Sequence, residues 1–291
     1  MKYLAYIGTR FLIFFFSILP FSLIYWLSDL LYVLLYRIWG YRQVVVRQNL
    51  QRAFPQYSTE ERQEIERNFY RHFCDILLES IKGLSLSEAS LHQRYRYTNP
   101  ELIDQYCQQY GACILTGSHC GNWEWGVLSF PLWVEARVLG IYKPLSNPLL
   151  NQYLMALRER FGLHLSAMSD TGRAIVQYQN QATVFVFIAD QSPSSIPHAY
   201  WIPFLNQDTA FIHGPGKIAH SRNYPVLFFA IRRVKRGYYE VDFELLTDQA
   251  KRLHPKAITE LYAQRLEVQI RQQPAEWLWT HKRWKRKRPE A

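Results

Sequence analysis

The chain has 291 residues, of which 48 % are hydrophobic and 16 % aromatic, a composition that buries a sizeable core and excludes a disordered or collagen-like polymer. Its 34 Lys and Arg outnumber 24 Asp and Glu for a formal charge of +10, and half of that excess lies in one tail, where Lys282, Arg283, Lys285, Arg286, Lys287 and Arg288 face only Glu290. No repeat and no Gly/Ser/Pro-rich linker divides the sequence, so a single compact domain is expected beyond the amino-terminal segment.

That segment is apolar. From Phe11 to Ser28 the run FLIFFFSILPFSLIYWLS carries no charge, and after Asp29 the run LLYVLLY continues to Tyr36, long enough to reach across a bilayer. No small-residue cleavage site follows Ser28, which argues for an anchor over residues 1–40 rather than a signal peptide. Pro20 either kinks a spanning helix or separates two shorter helices that dip into one leaflet. Arg37, Arg42, Arg47 and Arg52 follow the segment, against Lys2 and Arg10 before it, so the positive-inside rule places residues 41–291 in the cytoplasm.

Past Gly40 the apolar period becomes that of amphipathic helices. VVVRQNLQRAF ends at Pro55, and Ser58 with Glu61 three residues on forms a capping-box pattern that opens a long helix through about Lys82. Downstream, β-branched and aromatic runs predict strands at 112–117, 137–142, 183–189, 225–231 and 239–245, with helices near 99–110, 122–133, 147–161, 169–180, 209–222 and 256–273. The alternation predicts an α/β layer: a single mixed, mostly parallel sheet flanked by helices. The last two runs, joined through Lys235-Arg236-Gly237, predict an antiparallel hairpin at one edge. Cys74, Cys107, Cys113 and Cys120 show neither a CxxC pair nor zinc-site spacing, so they read as buried, reduced thiols.

The densest chemical signal is TGSHCGNWEWG at 116–126, which follows the first predicted strand and opens a helix, the place where open α/β sheets gather their active sites. His119 leaves the strand end, Asn122 is a natural N-cap, and Glu124 falls in the first helical turn. If Glu124 accepts the Nδ1 proton of His119, Nε2 is free to take a proton from an incoming hydroxyl. Gly117 and Gly121 allow a tight turn that brings amide donors near a developing oxyanion. A lone His–Glu pair is often only a surface hydrogen bond, but the strand–loop–helix setting favours a catalytic dyad. Ser118 and Cys120 are weaker candidates for a covalent nucleophile, because immediate neighbours point apart. No second histidine at helical spacing suggests a metal.

The block GSHCGNWE resembles the H-x4-D/E signature of glycerolipid and lipid A acyltransferases. Together with VRQNLQRAFPQYSTEER, IYKPLSNPLLNQYLMALRERFG, the ADQS turn at 189–192 and the ending PAEWLWTHKRWKRKRP, most of the chain resembles the bacterial lipid A late acyltransferases, the lauroyl/myristoyl transferase family. The resemblance implies a glycerolipid acyltransferase-like fold on the cytoplasmic face of the inner membrane. It also implies transfer of an acyl chain from acyl carrier protein to a hydroxyl of a lipid A precursor. In that reading His119 is the general base and Glu124 its orienting carboxylate. Arg158 and Arg160 match an R-x-R stretch, one of them to hold a phosphate or the thioester oxygen. Asp190 binds acceptor polar groups or orders the arginines, and Gly121 and Asn122 complete the substrate-binding set. Gln191-Ser192-Pro193-Ser194-Ser195 departs from the acidic residue and glycine of better-known members, which bears on the acceptor more than on the reaction.

Attack of a hydroxyl on a thioester needs a base, an oxyanion donor and exclusion of water, with no metal or redox cofactor. The tail HKRWKRKR with Trp277, Trp279 and Trp284 suits an interface of phosphates and headgroups. Arg232, Arg233, Lys235 and Arg236 are candidates for a surface that meets acidic acyl carrier protein, and no nucleic-acid recognition motif is found. The alternatives are an acyltransferase for another lipid (a lysophospholipid, aminolipid or glycolipid) and a non-catalytic lipid-binding membrane protein.

Overall fold

The apolar amino terminus folds as two helices. In the computed structural model, which describes residues 2–288 and so leaves Glu290 of the basic tail outside the described residues, α1 (Lys2–Ile18) and α2 (Phe21–Tyr32) part at Pro20. Proline has no N–H to offer the preceding turn, so the last carbonyls of α1 need other donors. Lys82 supplies them, its Nζ donating to Ser17 O at 2.7 Å and Leu19 O at 2.9 Å. Past α2 the chain continues through a π-helical turn, Val33–Ile38. Together Phe21–Ile38 is long and apolar enough to cross a membrane, with only 17 % of it buried. Phe11, Phe14, Ile18, Trp26, Leu30 and Trp39 are exposed, whereas inward Phe16, Leu19 and Ile24 form a small apolar cluster against Leu78 and Ile81, joined by polar ties: Ser28 Oγ donates to Asp75 at 2.6 Å and Arg236 pairs with the exposed Asp29 at 2.7 Å.

Then come α3 (Gln43–Ala53) and α4 (Thr59–Gly83). The capping box forms as expected, the Glu61 amide donating to Ser58 Oγ and the Ser58 amide to Glu61 Oε2. The remainder alternates: α5 (Glu88–Arg94), β1 (Tyr95–Tyr97), α6 (Glu101–Tyr110), β2 (Ala112–Gly117), α7 (Trp123–Ser129), β3 (Arg137–Tyr142), α8 (Pro148–Glu159), β4 (His164–Ala167), α9 (Thr171–Tyr178) and β5 (Thr183–Ile188). After these follow β6 (Tyr200–Phe204), β7 (Gln207–Phe211), α10 (Gly214–Arg222), β8 (Val226–Lys235), β9 (Tyr238–Thr247) and α11 (Pro255–Gln272).

Seven strands form one mixed sheet in the order β1-β9-β8-β2-β5-β3-β4. All neighbours are parallel except β8 and β9. Every residue of β2 is buried, and its side chains alternate between two cores. Ala112 and Ile114 pack with Ala174, Ala219 and Ile258 on one face, and Cys113 and Leu115 with Ile103, Trp125 and Leu128 on the other. A strand covered by helices on both faces reads as an unbroken apolar run, which is why ACILTG marks its own boundaries. All four cysteines are buried free thiols.

Two expectations are corrected. The β8–β9 hairpin is not the edge, because the three-residue β1 pairs parallel to β9 beyond it. The expected helix at 209–222 starts only at Gly214, because β6 and β7 form a separate hairpin. Its two turn residues, Leu205 at φ 49° and Asn206 at φ 62°, supply the two left-handed positions of a tight hairpin. Leucine is an unusual residue there, so the turn leaves a weak trace in sequence.

Gly117 ends β2 where a Cβ would lie 2.0 Å from the ring of Phe229. Gly117→Ala is therefore expected to destabilise the fold by about 1–3 kcal/mol through overpacking, measured by denaturant unfolding in detergent; unchanged stability counts against this packing.

Candidate active site

The site forms where β2 and β5 run out side by side. Their parallel register pairs Gly117 with Ile188, so His119 and Asp190, each two residues further on, arrive opposite one another. Nδ1 of His119 lies 2.6 Å from Asp190 Oδ1, and the His119 backbone N–H donates to Oδ2 at 3.1 Å. The indole of Trp277 donates to the same Oδ2 at 2.8 Å. Asp190 is only 2 % exposed. Burial raises its pKa, but the charge and hydrogen bonds of His119 and the Trp277 indole outweigh that and hold it below the usual carboxylate value.

An ionised carboxylate can only accept, so Nδ1 carries the proton and Nε2 presents its lone pair. Nε2 faces the side-chain amide of Gln191, which donates to it at 3.3 Å. Burial lowers the imidazole pKa, yet the Asp190 charge, its hydrogen bond and the charge of Glu124 together raise it above the ordinary value. The Trp123 ring stands edge-on to the imidazole, 5.1 Å between centroids. The result is an oriented imidazole with Nε2 turned to accept.

Glu124 therefore does not hold Nδ1, as the sequence led us to expect. From the first turn of α7 it accepts Arg158 Nη2 on both oxygens, at 3.1 and 2.9 Å, and acts on His119 through charge alone. Arg158, on α8, is 27 % exposed in its side chain. Arg160 points elsewhere: its guanidinium donates to the carbonyls of Gly83, Leu84 and Leu86 at 2.9, 2.7 and 2.6 Å. Those carbonyls close the C-terminus of α4, where unsatisfied oxygens and the helix dipole both favour a cation. Arg160 is thus removed from the substrate-binding set.

Asn122 and Gly121 are buried and shape the turn. Asn122 Oδ1 caps α7 through the Trp125 amide at 3.0 Å. Gly121 sits at φ +56°, where a Cβ would strike Ile231 at 2.6 Å, and its N–H is taken by Glu276 O at 3.2 Å, so it is no spare oxyanion donor. Ser118 and Cys120 are 1 % and 2 % exposed, and burial pushes the Cys120 thiol up, which leaves neither poised as a nucleophile.

A family model described as Bacterial lipid A biosynthesis acyltransferase matches residues 1–286. The chain belongs to this family. A search of curated proteins finds no match. The family gives the acyltransferase a lipid acceptor and an acyl donor, and with the apolar helix Phe21–Ile38 it fits a membrane-associated protein.

The carboxyl-terminal segment of the acyltransferase completes the site from a distance. Cys120 bridges Trp277 in antiparallel fashion, and Leu278 N donates to His119 O at 3.2 Å. His281 Nε2 accepts the Ser192 amide at 3.1 Å, pinning the loop after Asp190. Trp277 and Trp279, expected at a membrane interface, are 2 % and 0 % exposed and belong to the core; only Trp284 is half-buried. Arg283 is 1 % exposed, stacked 4.6 Å from the Phe211 ring centroid, its pKa lowered to about 10 by burial. Lys282, Lys285, Arg286, Lys287 and Arg288 remain exposed. The second basic surface dissolves in part: Arg233 and Arg236 bind Asp75, and Arg232 binds Glu240, which leaves Lys235 alone free of an ion pair among the described residues. Sequence reasoning named Gln191 and Trp277 but not as partners of His119 and Asp190; Gln191 directly follows Asp190, whereas no local signal links Trp277 to a residue 87 positions earlier.

If His119 is the base, kcat/KM should climb with pH through an apparent pKa above about 6.5. Asp190→Asn should move that limb to lower pH, because the anion favouring the imidazolium is gone, and lower the plateau about 10²–10⁴-fold. A limb that stays in place refutes the pairing. Arg160→Ala should cost about 1–3 kcal/mol of stability by stranding helix carbonyls and leave kcat unchanged, whereas Arg158→Ala should lower kcat about 10²-fold without unfolding; steady-state rates and thermal melts of both variants separate the two roles.

Proposed function

We propose that the protein transfers a fatty acyl chain from an acyl carrier protein thioester to a hydroxyl of a lipid A precursor, on the cytoplasmic face of the bacterial inner membrane. The observation that carries this reading is the buried 2.6 Å pairing of His119 Nδ1 with Asp190, which leaves Nε2 as an accepting base. The acceptor hydroxyl takes the place of the Gln191 amide at Nε2 and loses its proton there as its oxygen attacks the thioester carbonyl. The new C–O bond forms, the oxyanion is held by Arg158, and Glu124 keeps that guanidinium in place. Collapse breaks the C–S bond, and the imidazolium returns the proton to the departing thiolate. Asp190 stabilises the imidazolium between these steps. No metal or redox cofactor enters the sequence of bonds.

Residues 1–40 serve as the anchor in this reading and residues 41–291 as the catalytic domain. The two helices that part at Pro20 favour the reading of two short helices dipping into one leaflet, because they are tied to α4 through Ser28 and Lys82 and to the β8–β9 turn through Arg236 while their outward side is apolar. The exposed basic tail suits the phosphates of an anionic lipid. A second reading, acyl transfer to another lipid acceptor, is favoured by the Gln191–Ser195 segment beside the base.

The test incubates detergent-solubilised protein with labelled acyl carrier protein thioesters and either a tetra-acylated lipid A precursor or lysophospholipid. Transfer to the precursor is expected, falling about 10²–10⁴-fold in His119→Ala. Transfer to lysophospholipid alone establishes the second reading, and wild-type rates in His119→Ala exclude the base.

A further inference from the structure

Behind the catalytic turn sits a carboxylate that the chemistry above does not use. Glu79, on α4, is completely buried. Its Oε2 accepts Nδ2 of Asn122 at 2.7 Å and the Tyr239 hydroxyl at 2.7 Å, and its Oε1 accepts the Tyr25 hydroxyl at 3.0 Å. Its backbone carbonyl accepts the indole of Trp125 at 2.8 Å. Burial, helped by the charge of Asp75, raises its pKa above the usual carboxylate value, although the donors from Tyr239, Asn122 and Tyr25 work against that. One residue thus touches α2, β9, the cap of α7 and the third residue of α7.

We propose that Glu79 is a positioning residue for acyl transfer: it fixes the Asn122 amide in the one orientation that caps α7, and so sets where α7 delivers Glu124 and its Arg158 partner beside His119. The argument is one of donors and acceptors. The Trp125 backbone amide can only donate, so Asn122 Oδ1 faces it at 3.0 Å and the Asn122 nitrogen is left to donate to Glu79 at 2.7 Å. A flipped amide sets oxygen against oxygen at Glu79 and nitrogen against nitrogen at the helix. Asn122 has no exposure, so bulk water cannot repair either clash, and a buried polar group left unpaired is costly. Asn122 lies between His119 and Glu124 in a turn whose other pivot is Gly121 at φ +56°, so a change at its amide moves the whole turn. Through Tyr25 the same carboxylate also ties the apolar helix α2 to the catalytic residues.

This role rests on the reading of His119 and Glu124 as an acyl-transfer site, and the experiment separates the two. Full-length protein in detergent is assayed with acyl carrier protein thioester and the lipid acceptor that the wild type uses, alongside Glu79→Ala, Asn122→Asp, Glu79→Gln and the Glu79→Gln/Asn122→Asp pair, each with a thermal melt. Asn122→Asp sets two acceptors face to face and should lower kcat about 10²-fold, the order expected for a small misplacement of reacting groups, with KM little changed. Adding Glu79→Gln supplies a donor opposite the new carboxylate and should restore most of kcat, although each change alone is harmful or neutral. Glu79→Ala should lose activity like Asn122→Asp; if it does not fold, the reciprocal pair still decides. A double variant no faster than Asn122→Asp, with wild type turning over, overturns the role of Glu79 alone. No turnover by wild type on any acceptor overturns the transfer reading and this role with it.

Discussion

A carboxylate taken out of water needs partners, and meeting the needs of Asp190 organises much of this molecule. An unpaired buried charge costs several kcal/mol even after relaxation, so the 2 % exposure of Asp190 is tolerable only because three donors converge on it: the backbone and ring of His119 and the indole of Trp277. Two of these come from the end of β2 and the third from a segment close to 90 residues further along the chain than Asp190 itself. Sheet order, loop length and the course of the carboxyl-terminal segment all serve that convergence. The same bonds that make the carboxylate tolerable fix the tautomer of the His119 imidazole.

Much of the scaffold was readable because it is local. β2 and β3 begin and end where their apolar runs do, and the capping box at Ser58 and Glu61 and the cap at Asn122 depend on residues three apart. The site was half readable. His119 stands out by its setting, but the partner of its Nδ1 is decided by which strand lies beside β2, a tertiary fact. Glu124, nearer in sequence, was the natural choice, and Arg158 takes it instead. Arg158 and Arg160 look alike in sequence, yet one meets a carboxylate at the site and the other closes a helix. The tryptophans of the tail and the arginines near residue 233 misled for the same reason: a charged or aromatic run reports composition, whereas burial and ion pairing depend on what the fold brings against it.

The amino-terminal helices show how an apolar segment can belong to a folded domain and still face lipid. Their outward side exposes large apolar residues, while inward Phe16, Leu19 and Ile24 pack together, Ser28 meets Asp75 and the carbonyls before Pro20 meet Lys82, with Arg236 reaching the exposed Asp29 at the margin. Hydrogen bonds of this kind give the helices a fixed orientation against α4 that apolar contact alone would leave loose. The break at Pro20 is part of that docking, since the carbonyls it frees are the ones Lys82 binds.

The bridge between Cys120 and Trp277 also makes the turn after β2 depend on residues far along the chain. All seven strands of the sheet, with His119 and Asp190 just past two neighbouring strand ends, lie within the sequence up to Thr247. That stretch lacks α11 and the indole that completes the bonding of Asp190. Without residues 277–281, the buried carboxylate is one donor short and the loop at Ser192 is untied. The His119–Asp190 pair thus depends on the far end of the chain as well as on the sheet that presents it.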